Sequence, residues 1–520
     1  MSNTQRSNTQ SEQLHPMAHD FAKRITIGLK SSYSSPDKRI RMLEYACICV
    51  FSIIYLTLFS LWTSPLYKDW YGCDASFFTM AGRAITEGRV PYRDIYDLKG
   101  PYFFFLQALG QFLCKERLGA FILQIPFLCA SGILIWKLAL LFVRKSRALF
   151  ILLTFYTCHI ATMWGGNTLE EFALPLSLLC LYVIVKDMFL YAFRPESIPT
   201  GHSVLLGLVL GIMILSKITV SGCVLGIIAA IAFLQLYEHH FKSLVNFIFD
   251  ICMGVAFAFL PVLIYFGINN CLSDMLRCVF VTGFSRSIDY AEGFNITWEL
   301  KSSACIFAFL LAVFLRGRIR RELAVLLMAI SVATYLALHL GTPFYFYFTG
   351  AYPCLILAMA VFLKFYDPLV LFSEARQSIC ILVFAIFLIY YVPISAETIN
   401  TAFTGYDATC YSEYRRDVED MVAIIPESER DEIFSFMVDM TWFEAAQLTP
   451  CYKYPINLPF FIELDANILP DLERFMNETP PRWIVTNEFI NDNLPEMAEI
   501  VAEKYECVCE NSAGKLYLHR

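Results

Sequence analysis

The chain is expected to fold as a polytopic α-helical membrane protein of about eleven transmembrane helices, followed by a small soluble α/β domain. Three observations predict this. Of 520 residues, 57% are hydrophobic and only 17% charged, which is more apolar surface than one water-facing shell can cover. The apolar residues gather in runs approaching the roughly 20 that a spanning helix requires. The charge is also divided. Residues 397–520 carry 24 acidic and 9 basic side chains (net -15), and the residues before them carry 23 acidic and 31 basic (net +8). No long basic surface or cysteine-dense small domain appears, so a nucleic-acid partner, a secreted disulfide framework and a disordered scaffold are poor readings.

Residues 1–42 form a polar tail. Met1 to Ser35 lacks an apolar signal core, so no cleaved signal peptide is expected and the first hydrophobic helix serves as the anchor. The transmembrane part covers 43–396, with spans beginning near Leu43, Leu118, Ala148, Phe172, Ser203, Val220, Leu244, Ser302, Glu322, Ala351 and Ser378. Lys and Arg concentrate on the cytoplasmic side of short loops. Three basic clusters, Lys38–Arg41, Arg144–Arg147 and Arg316–Arg321, share that side only if the short apolar piece Pro101–Leu113 does not cross. It is read as interfacial or re-entrant, which places the amino terminus in the cytoplasm, the loop 63–117 outside and the tail 397–520 outside.

The tail has local α/β signals. Tyr411–Ile424 has helical spacing and stops at Pro426; Glu432–Val438 and Trp483–Thr486 are β-rich; Pro495–Tyr505 is helical; Glu506–Cys509 and Lys515–His519 could pair around Ser512–Gly514. Most of the 18 cysteines lie in apolar runs and act as small hydrophobes, leaving Cys410, Cys451, Cys507 and Cys509 able to pair in an oxidising compartment. Asn295-Ile-Thr297 and Asn477-Glu-Thr479 match the glycosylation sequon.

Polar groups near membrane depth are costly unless paired or hydrated, so they mark places where function is sought. The first exterior loop interleaves Asp74, Arg83, Arg93, Asp94, Asp97 and Lys99 with aromatics. Phe77, Phe78, Ala81 and Ile85 make one helical stripe after Asp74, as in a helix anchored in the headgroup layer. This run, an acid after the first span, an interfacial helix, then Pro91-Tyr-Arg-Asp-Ile-Tyr-Asp-Leu-Lys99-Gly-Pro101, resembles the GT-C glycosyltransferases. Within them it is similar to the bacterial and dolichyl-phosphate-mannose protein mannosyltransferase-like (family 39-like) group. Arg144–Arg147 matches that group's basic inner loop, Gly165–Glu171 the exterior loop that carries a second acid, and Leu208–Lys217 a glycine-rich span ending in lysine. The chain departs from the pattern with Ala75 after Asp74, Gly100 before Pro101, and Glu170-Glu171 in place of an aspartate.

The resemblance implies transfer of a sugar from a polyprenyl-phosphate carrier to an exterior protein, lipid or glycan acceptor at the cell membrane. Such a reaction needs a base for the acceptor hydroxyl, and Asp74 is the candidate. It also needs charged groups around the leaving phosphate: Lys99, Lys217 and Arg286, with Asp94, Asp97, Glu170 and Glu171 as the other polar members of the site. Each has a plainer reading. Asp74 could cap a helix, Asp94, Asp97 and Lys99 could form a solvated loop with a local ion pair, the glutamates could cap the fourth span, Lys217 could snorkel, and Arg286 could pair with Asp289. Phe344–Phe348 is read as an aromatic belt. No His/Cys cluster with metal-ligand spacing is visible, and a role for a divalent cation is left open. The competing function is a multi-pass transporter or flippase of a lipid-linked or small-molecule substrate.

Overall fold

The computed structural model describes residues 38–190, 198–283, 285, 296–340, 344–365, 375–455 and 458–520. A helix stands at each of the eleven expected spans. In chain order the helices are α1 (Lys38–Phe59), α2 (Cys73–Thr86), α3 (Pro101–Leu113), α4 (Glu116–Leu140), α5 (Lys145–Met163), α6 (Leu169–Leu190), α7 (Thr200–Ile214), α8 (Gly222–Tyr237, entered by a 3-10 turn), α9 (Phe241–Ile268) and α10 (Leu272–Leu276). They continue with α11 (Ile296–Lys301), α12 (Ser303–Phe314), α13 (Arg321–Leu338), α14 (Tyr352–Phe365) and α15 (Ala375–Thr404). Eight helices among the described residues are long and apolar enough to cross a membrane, and α7 and α12 are shorter apolar helices.

The helices bury their small faces against one another. With little hydrophobic force between helices in lipid, close backbone approach supplies the packing. The α7–α9 contact shows it: a Cβ on Gly207 would lie 2.1 Å from the Ile251 carbonyl oxygen.

The carboxyl-terminal unit follows the sequence expectation closely. Helix α16 (Ala408–Ile424) precedes strand β1 (Ile433–Phe436); β2 (Trp483–Thr486), β3 (Tyr505–Asn511) and β4 (Gly514–His519) complete a sheet of order β1-β2-β4-β3. Strands β1 and β2 run parallel, while β3 and β4 form the expected antiparallel hairpin. All residues of β1 and β2 are buried, as expected of a parallel strand pair. Helices α17 (Met440–Ala446), α18 (Leu458–Leu464), α19 (Ile468–Glu478), α20 (Ile490–Asn493) and α21 (Pro495–Lys504) complete it. Cys410, Cys451, Cys507 and Cys509 are free thiols. Asn295 of the first sequon lies outside the described residues.

Helix α2 corrects one expectation. Phe77, Phe78 and Ala81 are 2%, 3% and 0% exposed, so the stripe faces protein instead of lipid. It is covered by α3, whose Phe103 and Phe104 make edge contacts with Phe78 and Phe77 at 4.6 and 6.2 Å. The buried glutamines of α3, Gln107 and Gln111, are satisfied by Asn167 and by the turn at Glu116.

Candidate active site

Gly72 caps α2 without a side-chain bond, so Asp74 sits in the first turn beside free backbone N–H groups but is not the cap. It is half-buried and makes no ion pair or hydrogen bond among the described residues. Phe77 and Phe78 follow at i+3 and i+4 and so share its face. The Lys99 ammonium lies over both rings, 5.9 and 4.8 Å from their centroids, in cation–π range. Asp97, 3% exposed, pairs with Lys99 at 3.5 Å and accepts the Leu98 N–H at 2.6 Å.

The loop then meets the end of α7 backbone to backbone. Gly100 donates its N–H to the Ser216 carbonyl at 2.7 Å, and a Cβ there would lie 2.1 Å from the Leu215 oxygen. The glycine that departs from the pattern of the resembled group is therefore what allows this approach. Lys217 follows directly. Its ammonium donates to Glu170 at 2.6 Å and sits 3.3 Å from the Tyr347 ring centroid. Glu170 is almost wholly buried while 17% of the Lys217 side chain remains exposed, so the pair holds the lysine in place without enclosing it.

Next to this pair, an apolar cavity of about 210 Å³ opens between α3, α4, α6 and α7, lined by Phe103, Leu106, Phe127, Phe172, Ile212 and Met213. Leu169 and Ser216, the chain neighbours of Glu170 and Lys217, also border it. Asp97, Lys99, Glu170 and Lys217 are thus brought to one seam, with Asp74 on the adjoining helix face.

Other candidates are elsewhere or occupied. Asp94 accepts from its neighbour Arg93 at 2.8 Å and from the Val90 N–H at 2.7 Å, closing a turn. Burial opposes its ionisation, but these bonds outweigh it and hold the carboxyl below its usual range. Glu171 turns into the bundle: it accepts the Thr168 N–H at 3.1 Å, as in a capping box, and the Gln124 amide at 3.0 Å. Arg286 lies outside the described residues. Sequence reading missed Tyr347 as a partner of Lys217, because an aromatic cluster between spans carries no signal of what lies beneath it. It also missed the hold of α17 on α2. Arg83, nine residues after Asp74, donates to the Phe443 and Leu448 carbonyls at 3.1 and 2.6 Å and lies 3.5 Å from fully buried Glu444. Burial pushes the Glu444 carboxyl up, only partly countered by Arg83 and Arg117. No group of three or more His, Cys, Asp or Glu side chains among the described residues could hold a metal ion.

Residues 34–277 match the family described as the competence-induced protein Ccs4 N-terminal domain. No curated protein matches the chain. Among solved structures, ArnT from Cupriavidus metallidurans bound to undecaprenyl phosphate aligns with a TM-score of 0.57 at 13% identity, covering 92% of this chain and 98% of that one. The apo form of the same protein aligns with a TM-score of 0.54 over the same shares, also at 13% identity. The chain has the GT-C fold.

Proposed function

We propose that this protein is an integral-membrane glycosyltransferase that moves a sugar from a polyprenyl-phosphate carrier to an exterior acceptor with inversion at the anomeric carbon. One observation carries the reading: two partly exposed lysines, Lys99 and Lys217, stand at a single backbone seam beside an apolar cavity. That pairing suits a ligand with a charged head on a hydrocarbon tail. The ArnT structure that shares this fold holds undecaprenyl phosphate, and the same ligand class is assigned here.

The prenyl chain would occupy the cavity and the phosphate would lie across the lysines. Each ammonium has three donors, so Lys217 can keep Glu170 and still bind a phosphate oxygen. As the acceptor oxygen attacks the anomeric carbon, the bond from that carbon to the phosphate oxygen breaks and the electron pair leaves with the phosphate. Lys99 and Lys217 stabilise the charge that develops there. The acceptor proton passes to Asp74, whose carboxylate has no competing cation among the described residues. Attack opposite the phosphate inverts the configuration.

The basic clusters at Lys38–Arg41, Arg144–Arg147 and Arg316–Arg321 support a cytoplasmic amino-terminal tail (1–42), a transmembrane domain (43–396) and an exterior α/β domain (397–520). The test is transfer by the reconstituted protein from a labelled polyprenyl-phosphate sugar. Asp74→Asn is expected to lower transfer by about 10²–10⁴-fold while donor binding persists. Normal transfer by this variant would remove Asp74 as the base; no transfer by wild type with any such donor would remove the reading.

A further inference from the structure

A second, quite different pocket lies where the first loop, α10 and the carboxyl-terminal unit meet. It encloses about 360 Å³, within the range of small-ligand sites. Its ionised lining sums to zero: Asp274, Asp465 and Asp471 against Arg277, Lys453 and Arg474. Five of the six are mutually committed, with Arg277 on Asp465 at 2.7 Å, Lys453 on Asp471 at 2.6 Å and Arg474 also on Asp471, while Asp274 stands exposed with no ion pair among the described residues. Tyr92, Tyr96 and Tyr454 supply the aromatic wall, the last two with ring centroids 5.3 Å apart.

One group in this pocket lacks what burial demands. Tyr96 is 6% exposed, and its hydroxyl is buried with no well-formed hydrogen bond, although Thr282 lies beside it. A buried polar group is costly when unpaired, yet a phenylalanine here would keep the ring contacts with Tyr454 and Phe461. The ring contacts therefore do not depend on the hydroxyl, which keeps bonding capacity beyond its approach to Thr282.

We propose that this pocket binds a neutral, polyhydroxylated ligand, one or two sugar rings of a glycan, with the Tyr96 hydroxyl among its hydrogen-bond partners. The chemistry decides among ligand classes. An anion would meet three carboxylates, a cation would meet three cationic side chains, and an apolar group would strip hydration from six charges. A sugar hydroxyl both donates and accepts, so it can bond to either member of each ion pair, and the C–H face of the ring packs on tyrosine. The pocket also adjoins the site above: Tyr92 donates to the Lys99 carbonyl at 2.6 Å, and the Tyr96 N–H donates to the Lys453 carbonyl at 2.6 Å. Resting on the transferase reading, the bound rings are the non-reacting part of a glycan acceptor.

The test is binding of a panel of neutral di- and trisaccharides, with carboxylated and aminated counterparts, to the purified full chain in detergent. Neutral members are expected to bind. Tyr96→Phe is expected to weaken them about tenfold, the worth of one hydrogen bond, with an unchanged thermal midpoint, and Asn467→Ala, an exposed change on the pocket rim, is expected to weaken them also. Binding by charged members alone, by no member, or with wild-type affinity in both variants overturns the proposal. Neutral binding in a protein that transfers no sugar would uphold the pocket and refute the transferase. Transfer with an acceptor KM that Tyr96→Phe leaves unmoved would refute the pocket alone.

Discussion

Glu170 and Glu171 are neighbours in the chain with different tasks. Successive helical residues point about 100° apart, so one carboxylate reaches Lys217 and the other enters the bundle to Thr168 and Gln124. A pair of adjacent acids is visible in the sequence; their division of labour is not, since it depends on what α4 and α7 place beside each. Asp94 is similar, a candidate by its company that proves to be absorbed by the turn from Val90 to Asp94. Lys217→Met would leave Glu170 buried and unpaired, which typically costs about 3–5 kcal/mol. Adding Glu170→Gln should restore most of that stability in thermal melts without restoring transfer, which separates the structural part of the pair from its proposed phosphate contact. Gly100→Ala changes no charge, yet its methyl would overlap the Leu215 carbonyl. A loss of about 1–3 kcal/mol, the usual cost of overpacking, is expected in the same melts, together with lost transfer.

At the scale of elements, α2 is held from two sides. Its aromatic face lies on α3, and its far end is gripped by α17 through Arg83. The periodicity of Phe77, Phe78 and Ala81 revealed a buried stripe correctly but could not say whether lipid or protein buries it, because both solvents reward the same pattern. Helix α19 shows the complementary case: Ile468, Leu472, Phe475 and Met476 are its buried residues, an i, i+4, i+7, i+8 spacing that was legible but not assigned. Arg83→Met removes three hydrogen bonds and takes the 3.5 Å ion-pair partner from buried Glu444, leaving it the attraction of Arg117. Faster limited proteolysis between α15 and α16, with transfer reduced and donor binding kept, is the expected result. Asp471 ties α19 to the segment before α18. Burial works against its charge, but Lys453, Tyr454 and Arg474 prevail and lower its pKa from 3.8 to about 2. A depressed carboxyl pKa contributes stability that is complete above the unfolded value and lost as pH falls through the folded one. Tryptophan fluorescence of this unit should therefore report weakening between about pH 4 and pH 2, and Asp471→Asn should lose that acid-dependent component.

For the whole molecule, the segregation of charge and apolar runs made the architecture readable, since length and hydropathy suffice to place helices. What stayed hidden were contacts between distant segments: 101–113 against α2, Gly100 against Leu215, and α17 against Arg83. The proposed orientation has a direct check. Cys410 and Cys507 are exposed, so a membrane-impermeant maleimide should label both in intact cells; labelling only after permeabilisation would invert the orientation. The short helix leading to Lys217 has a consequence of its own. Fifteen residues of α7 extend about 22 Å, less than the roughly 30 Å of a hydrocarbon core. Such hydrophobic mismatch draws the leaflet inward where the helix meets lipid, so a carrier's headgroup would dip toward the lysine without leaving its own layer. Turnover should accordingly track acyl-chain length, faster in short-chain than in long-chain phosphatidylcholine vesicles.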